Sequence, residues 1–129
     1  MNILPVVPTL KASKEVTDLL GTNPLKVWED IAPHKTRYPY AVWSVVTANP
    51  ENNLDCPANT DHVSFQIVVY DTEQKRASDI RAAIRKALEP HCYVTNIHPN
   101  HFERIADTNI FGRGFDANWF LDRSVSYTP

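Results

Sequence analysis

Glycine is nearly missing from this chain, with Gly21, Gly112 and Gly114 the only three in 129 residues. Phosphate-cradling loops need several glycines close together so that the backbone can approach the ligand, and neither G-x-x-x-x-G-K nor G-x-G-x-x-G occurs. The nucleophile elbow G-x-S-x-G is absent as well. Cysteine is equally scarce. Cys56 and Cys92 cannot build a disulfide framework and are expected to be free thiols. No apolar run reaches the roughly 18 residues that a membrane span requires. The start, MNILPVVPTLKASK, carries two prolines where a signal peptide needs an unbroken apolar stretch, so a soluble protein made in a cytosol is expected, with no membrane partner. Charge of one sign is lacking too: 13 Lys and Arg against 15 Asp and Glu leave −2. No overall basic field exists to gather nucleic acid or an acidic membrane.

What the chain does contain is the composition of one globular core, 43% hydrophobic and 22% charged residues. A length of 129 residues suits a single domain, expected to span residues 1–129 with a core over about 9–124. Ten prolines punctuate it at uneven intervals and are expected to mark loops and element ends.

Residues 9–20, TLKASKEVTDLL, predict a helix or two short turns of one, with Thr9 or Ser13 as N-cap, Gly21 at the C-terminal end, and Leu10, Val16, Leu19 and Leu20 inward. The short run LKVWEDI stops at Pro33, and PHKTRYP reads as a surface loop. YAVWSVVTA at 40–48 is dense in β-branched and aromatic residues and predicts a strand. The polar stretch 49–61, NPENNLDCPANTD, predicts a long exposed loop. HVSFQIVVYD at 62–71 then alternates like a half-buried strand. In 73–89 the period changes, and Ala77, Ile80, Ala83, Ile84, Ala87 and Leu88 fall within a sector of roughly 140° of a helix that Pro90 ends. HCYVTNI, FERIADTNIF and GFDANWFLDRSV are three further β-candidates, with a hairpin expected where Gly112 and Gly114 bracket Arg113. The order predicts an α+β fold, a mostly antiparallel sheet covered by one long amphipathic helix plus a short N-terminal helix.

Groups that could carry chemistry are scattered. His98 and His101 form H-x-x-H across Pro99, which is not a helical ligand pair, and His91 adjoins Cys92. Neither pattern supplies the three or four convergent ligands that a metal centre needs. The adjacent Glu29 and Asp30, and Asp116 and Asp122 of the closing run, are scattered over strand ends and faces. The expectation is no catalytic residue, no cofactor and no metal.

Surfaces are more informative. Thirteen aromatics exceed the needs of a small core, although most are expected inside it; Trp119 and Phe120 must point to opposite faces of one strand, so one is a candidate for a partner contact. The 73–89 helix carries five basic and three acidic residues, making it +2 and the rest of the chain −4. Arg81 and Arg85 stand one turn apart at the edge of its apolar sector. Candidate subunit or partner contacts are therefore Arg81, Arg85, Arg113 and Phe120, together with Asp55 and Asp61 of the polar loop. A nucleic-acid-binding module using the basic helix and exposed aromatics is the alternative, disfavoured by the overall charge and by the absence of an RNP-type or G-x-x-G signature.

V-T-D-L-L-G, K-V-W-E-D, R-Y-P-Y-A-V-W at 37–43, V-S-F-Q-I-V-V-Y-D at 63–71, the helix E-Q-K-R-A-S-D-I-R-A-A-I-R-K-A-L and the closing G-F-D-A-N-W-F-L-D occur in that order over about 110 residues. In this succession the chain resembles the small tail-completion or tail-terminator proteins of long-tailed bacteriophages, the tail-to-head joining proteins among them. The polar loop at 49–61 and the His-rich 91–101 segment depart from that pattern. The resemblance implies a virion tail or neck component assembled in a bacterial host's cytoplasm. It implies a homo-hexameric ring on the head-proximal end of the tail tube, touching the tube protein and the head connector, with genome DNA passing through without sequence-specific binding. Such a ring needs two different complementary patches on each subunit.

Overall fold

The computed structural model describes residues 4–51 and 60–122. Two short helices open the chain, α1 (Val6–Lys11) and α2 (Lys14–Leu20). Ser13 separates them because its side chain accepts the Val16 amide and caps α2, and Gly21, at φ 91, closes α2 in a backbone conformation that a side chain would strain. Leu10, Val16 and Leu20 are buried, and so are Leu4 and Val6, which carry the core ahead of the expected start at residue 9.

β1 (Val27–Glu29) then pairs in parallel with β2 (Tyr40–Glu51), and β2 pairs antiparallel with β3 (Thr60–Asp71). Both ends of the expected 49–61 loop are thus strand. Asn49–Glu51 extend β2 and Thr60–Asp61 begin β3, in register with one another, because an antiparallel ladder can run on through polar residues once its apolar half is anchored. Of the loop residues, 52–59 lie outside the described residues, Asp55 and Cys56 among them.

α3 (Gln74–Leu88) crosses back over the sheet, with Ala77, Ile80, Ala83, Ile84 and Leu88 buried as their period requires. β4 (Tyr93–Ile97), β5 (His101–Ile105) and β6 (Thr108–Asp122) complete the sheet in the order β1-β2-β3-β6-β4, with β5 also on β6. The fold is α+β, with a six-stranded, mostly antiparallel sheet and all helices on one face. Val63, Phe65, Ile67 and Val69 of β3 and Phe115, Ala117 and Trp119 of β6 meet α3 there.

The hairpin is displaced from its expected place. It turns at Ala106 and Asp107, both at positive φ (48° and 66°), while Gly112-Arg113-Gly114 run straight through the middle of β6. Two residues of positive φ are what a tight two-residue hairpin needs, and an Asp supplies one of them without glycine. Gly114 answers a different demand: a Cβ there would lie 2.7 Å from the Ile67 carbonyl and 2.7 Å from His98 Nδ1.

Fewer aromatics enter the core than expected. Trp43, Phe65, Phe115 and Trp119 are buried, but Trp28, Tyr38, Tyr40, Tyr70 and Phe111 are half-buried and Tyr93, Phe102 and Phe120 are exposed. For Trp28, Tyr40, Tyr70, Tyr93 and Phe120 the reason is the one-sided cover. Side chains at alternate positions of β2, β3 and β6 face a layer that no helix occupies.

Candidate functional site

The bare face of the sheet carries two aromatic groups. At one end Tyr40 stacks on Tyr38 (5.3 Å) and touches Tyr70 (5.6 Å) and Trp28 (6.4 Å). Burial and the neighbouring tyrosines raise the Tyr40 hydroxyl above its ordinary pKa, and burial followed by the Glu103 carboxylate does the same to Tyr70. At the other end His62 stacks on Phe120 at 4.8 Å, and Tyr93 meets that ring edge-on. Phe120 is 48% exposed, as the opposition to buried Trp119 requires. Between the two groups Ser64, Gln66, Asn118 and Asp116 form a polar band, in which His98 Nε2 lies 2.7 Å from Asp116 Oδ1.

The helix face carries the charge. Asp71, fully buried at the end of β3, accepts from Arg76 Nε and Nη2 at 2.6 and 2.7 Å and also from the amides of Thr72 and Glu73, so it ties the strand to the start of α3. Those bonds hold the Arg76 guanidinium in its charged form and raise its pKa. One helical turn and a half further on, the picture changes. Arg113 is only 3% exposed, and its Nη1 donates to the carbonyls of His101 and Gly112. Its guanidinium lies 5.8 Å from the Phe111 ring. Arg81 is half-buried and reaches Gly114 O at 3.5 Å, a carbonyl that also accepts from the His98 amide. Burial and the positive charges of Arg113 and Arg85 push the Arg81 pKa down. Arg85 is turned toward Glu89 at 3.3 Å.

The structure thus gathers three of the sequence candidates, Arg81, Arg85 and Arg113, along the seam between α3 and β6, and leaves Phe120 on the opposite face. Arg113 is not the tip of a turn but a buried mid-strand residue. Running the β6 alternation back from Trp119 through Ala117 and Phe115 would have turned it inward, and the same alternation in β3 would have flagged Asp71. The glycines on either side of Arg113 hid that pattern. Of Asp61 only the backbone is described, and Asp55 lies outside the described residues. The basic helix and the exposed Tyr93 and Phe120 occupy opposite faces, whereas the nucleic-acid alternative needs them on one surface.

Groups with nucleophilic or ligand chemistry are otherwise engaged. Cys92 is buried, donates to Leu88 O at 3.3 Å, and has its thiol pushed up to about 11 by burial and then by Glu89, which keeps it protonated at neutral pH. A cleft of about 590 Å³ between α1, α2 and the end of α3 is lined by Thr9, Ser13, Glu15, Lys86 and His91 among others. Its polar groups are spent on Pro5 O, the Val16 amide and the Glu15–Lys86 ion pair, and His91 stacks on Trp119. Among the described residues no three His, Cys, Asp or Glu side chains are grouped to hold a metal ion. None of their helices is long and apolar enough to cross a membrane.

With this geometry in view, the comparisons with known proteins decide the family. The model of the family "Tail completion protein gp17" matches residues 5–111, from the start of α1 to the first half of β6. The chain belongs to that tail completion family. A solved structure titled "Virion of native gene transfer agent (GTA) particle" contains a chain of the same fold, with a TM-score of 0.54 and 16% identity over 89% of this chain and 91% of that one. No curated protein sequence matches. As a tail completion protein the chain has a structural role in a phage tail, in a family that is not normally enzymatic.

Proposed function

We propose that this tail completion protein is a tail terminator: a homo-hexameric ring on the head-proximal end of the tail tube that stops tube polymerisation and presents a surface to the head connector. The observation that carries this reading is the family match over residues 5–111, which spans both faces of the sheet and α3. The architecture suits it. A ring closes through heterologous contacts, so each subunit needs two unlike patches. Here the arginine-lined seam of α3 and β6 differs in chemistry from the bare aromatic and polar face and from the acidic 49–61 connection. Arg81, Arg85 and Arg113, with Asp55 and Asp61, are assigned to contacts between subunits, and Phe120 to a contact with the tube protein or the connector. Genome DNA passes through the ring without sequence-specific contact, and assembly takes place in the host cytoplasm before the virion is complete.

Exposed charge pairs contribute little singly and gain strength when several are desolvated together, which favours assembly on a tube end over free polymerisation. Deleting the gene from a phage that carries it tests the function. Tails of uncontrolled length, or tails not joined to heads, are expected, and normal infectious particles would overturn the reading. Changing Arg81 and Arg85 together to Glu should leave the fold intact and produce the same defective tails.

A further inference from the structure

We infer that Arg113 and Arg81 form an oxyanion-binding notch whose occupant is a carboxylate from the acidic 51–61 connection of a second copy of this chain. The inference deepens the ring reading by naming the socket and what enters it.

The notch lies where β6 changes partners. β4 pairs with residues 115–118, the His98 amide bonds the Gly114 carbonyl and β5 pairs with 108–112, so Arg113 falls at the break between the two edge strands. Arg113 donates across that break to the His101 carbonyl, and Arg81 reaches the Gly114 carbonyl from α3. Two guanidinium groups so placed repel one another in a poorly hydrated setting, and such groups are retained where something answers their charge. Among the described residues nothing does. Arg113 donates to two carbonyls through one nitrogen, Arg81 donates to one, and neither meets a carboxylate. The contrast with Arg76, bound through two nitrogens to Asp71 on the same seam, is direct. The planar fork of arginine is suited to a carboxylate or a phosphate.

The sequence names the occupant. From residue 38 to residue 74 the chain has no Lys or Arg, and Glu51, Asp55 and Asp61 gather at the β2–β3 connection. A chain cannot insert its own connection into its own notch. Thr60, where β3 begins, pairs with Asp122, whereas Arg113 pairs with Val69. Nine residues of strand separate the two positions, about 30 Å at the usual rise. Asp55 is four residues from the Glu51 anchor, so it can reach at most about 14 Å from it even when the backbone is fully extended. The acid must come from another copy, which makes the contact heterologous and fit for a ring.

Self-association of the purified full chain tests this. Sedimentation in low salt, over a concentration series, should show association that Arg81→Gln, Arg113→Met and the pair Asp55→Asn with Asp61→Asn each weaken at least tenfold. Combining Arg81→Gln with the acidic pair should add little, since both remove one contact. Arg81→Gln sits at a half-buried position and keeps the test valid if Arg113→Met fails to fold. Inorganic phosphate, titrated while amide resonances of residues 98–101 and 112–114 are followed, separates the sources of the anion. Shifts at those amides with unchanged self-association across the variants would mean a site for free phosphate and would overturn the second-copy occupant. A chain that stays monomeric at the highest concentration reached, or association indifferent to all the variants, would overturn it also. Tail phenotypes of the gene deletion judge the terminator function separately, so either idea can fail without the other.

Discussion

Two arginine sites lie along the same seam of α3 and the sheet, and they are opposites. At Asp71 and Arg76 a fully buried carboxylate receives two side-chain donors and two backbone amides, and the site is complete within one chain. At Arg113 and Arg81 a buried cation has carbonyl partners and, among the described residues, no acid. The first is an internal clamp that fixes where α3 starts. The second has chemistry left over, and leftover charge at low exposure is better evidence of an assembly contact than the many solvated charges elsewhere on the surface.

The sharpest way to break the comparison is to remove the clamp. Asp71→Ala strips Arg76 of its partner and uncaps the Thr72 and Glu73 amides, and should cost about 3–5 kcal/mol by urea denaturation. A loss below about 1 kcal/mol would show that the clamp is no more than a surface pair. Ile84→Ala, in the fully buried stripe of α3 that separates the clamp from the break in β6, should cost about 2–4 kcal/mol, and sets the scale for ordinary core packing in the same helix. An unchanged denaturation midpoint would mean that the helix face is misassigned. Arg113→Met should have the smallest effect on the isolated chain, within about 1 kcal/mol in either direction, because removing a buried unmatched charge offsets the lost bonds to His101 and Gly112 carbonyls. A loss of several kcal/mol would make Arg113 a second clamp and dissolve the distinction.

Much of this was legible in the residues. The period of 73–89 places Ala77, Ile80, Ile84 and Leu88 correctly, and the alternation of 62–71 places Val63, Phe65, Ile67 and Val69, because a side chain's face follows from backbone geometry alone. Ser13 as cap and Gly21 as stop were likewise local matters. The tail completion family was legible from the order of its segments. The hairpin was not: Gly112 and Gly114 look like a turn, yet one of them is a glycine because a neighbouring strand and His98 leave no space for a Cβ, a fact about long-range packing. The extension of β2 and β3 through polar residues was hidden for the same reason, since a ladder's length depends on the partner strand.

The sequence by itself thus determined which apolar residues turn inward on α3 and β3, where α2 is capped, and that one basic helix stands against an acidic remainder. These follow from periods and capping chemistry that act over a few residues. Only the tertiary structure decided that all the helices lie on one face, leaving aromatics half-covered on the other. It alone brought Arg81 and Arg113, thirty-two residues apart in the chain, to the break between β4 and β5, while giving Asp71 to Arg76 and leaving them no acid among the described residues. Strand order and pairing set which distant charges meet, and no local pattern carries that information.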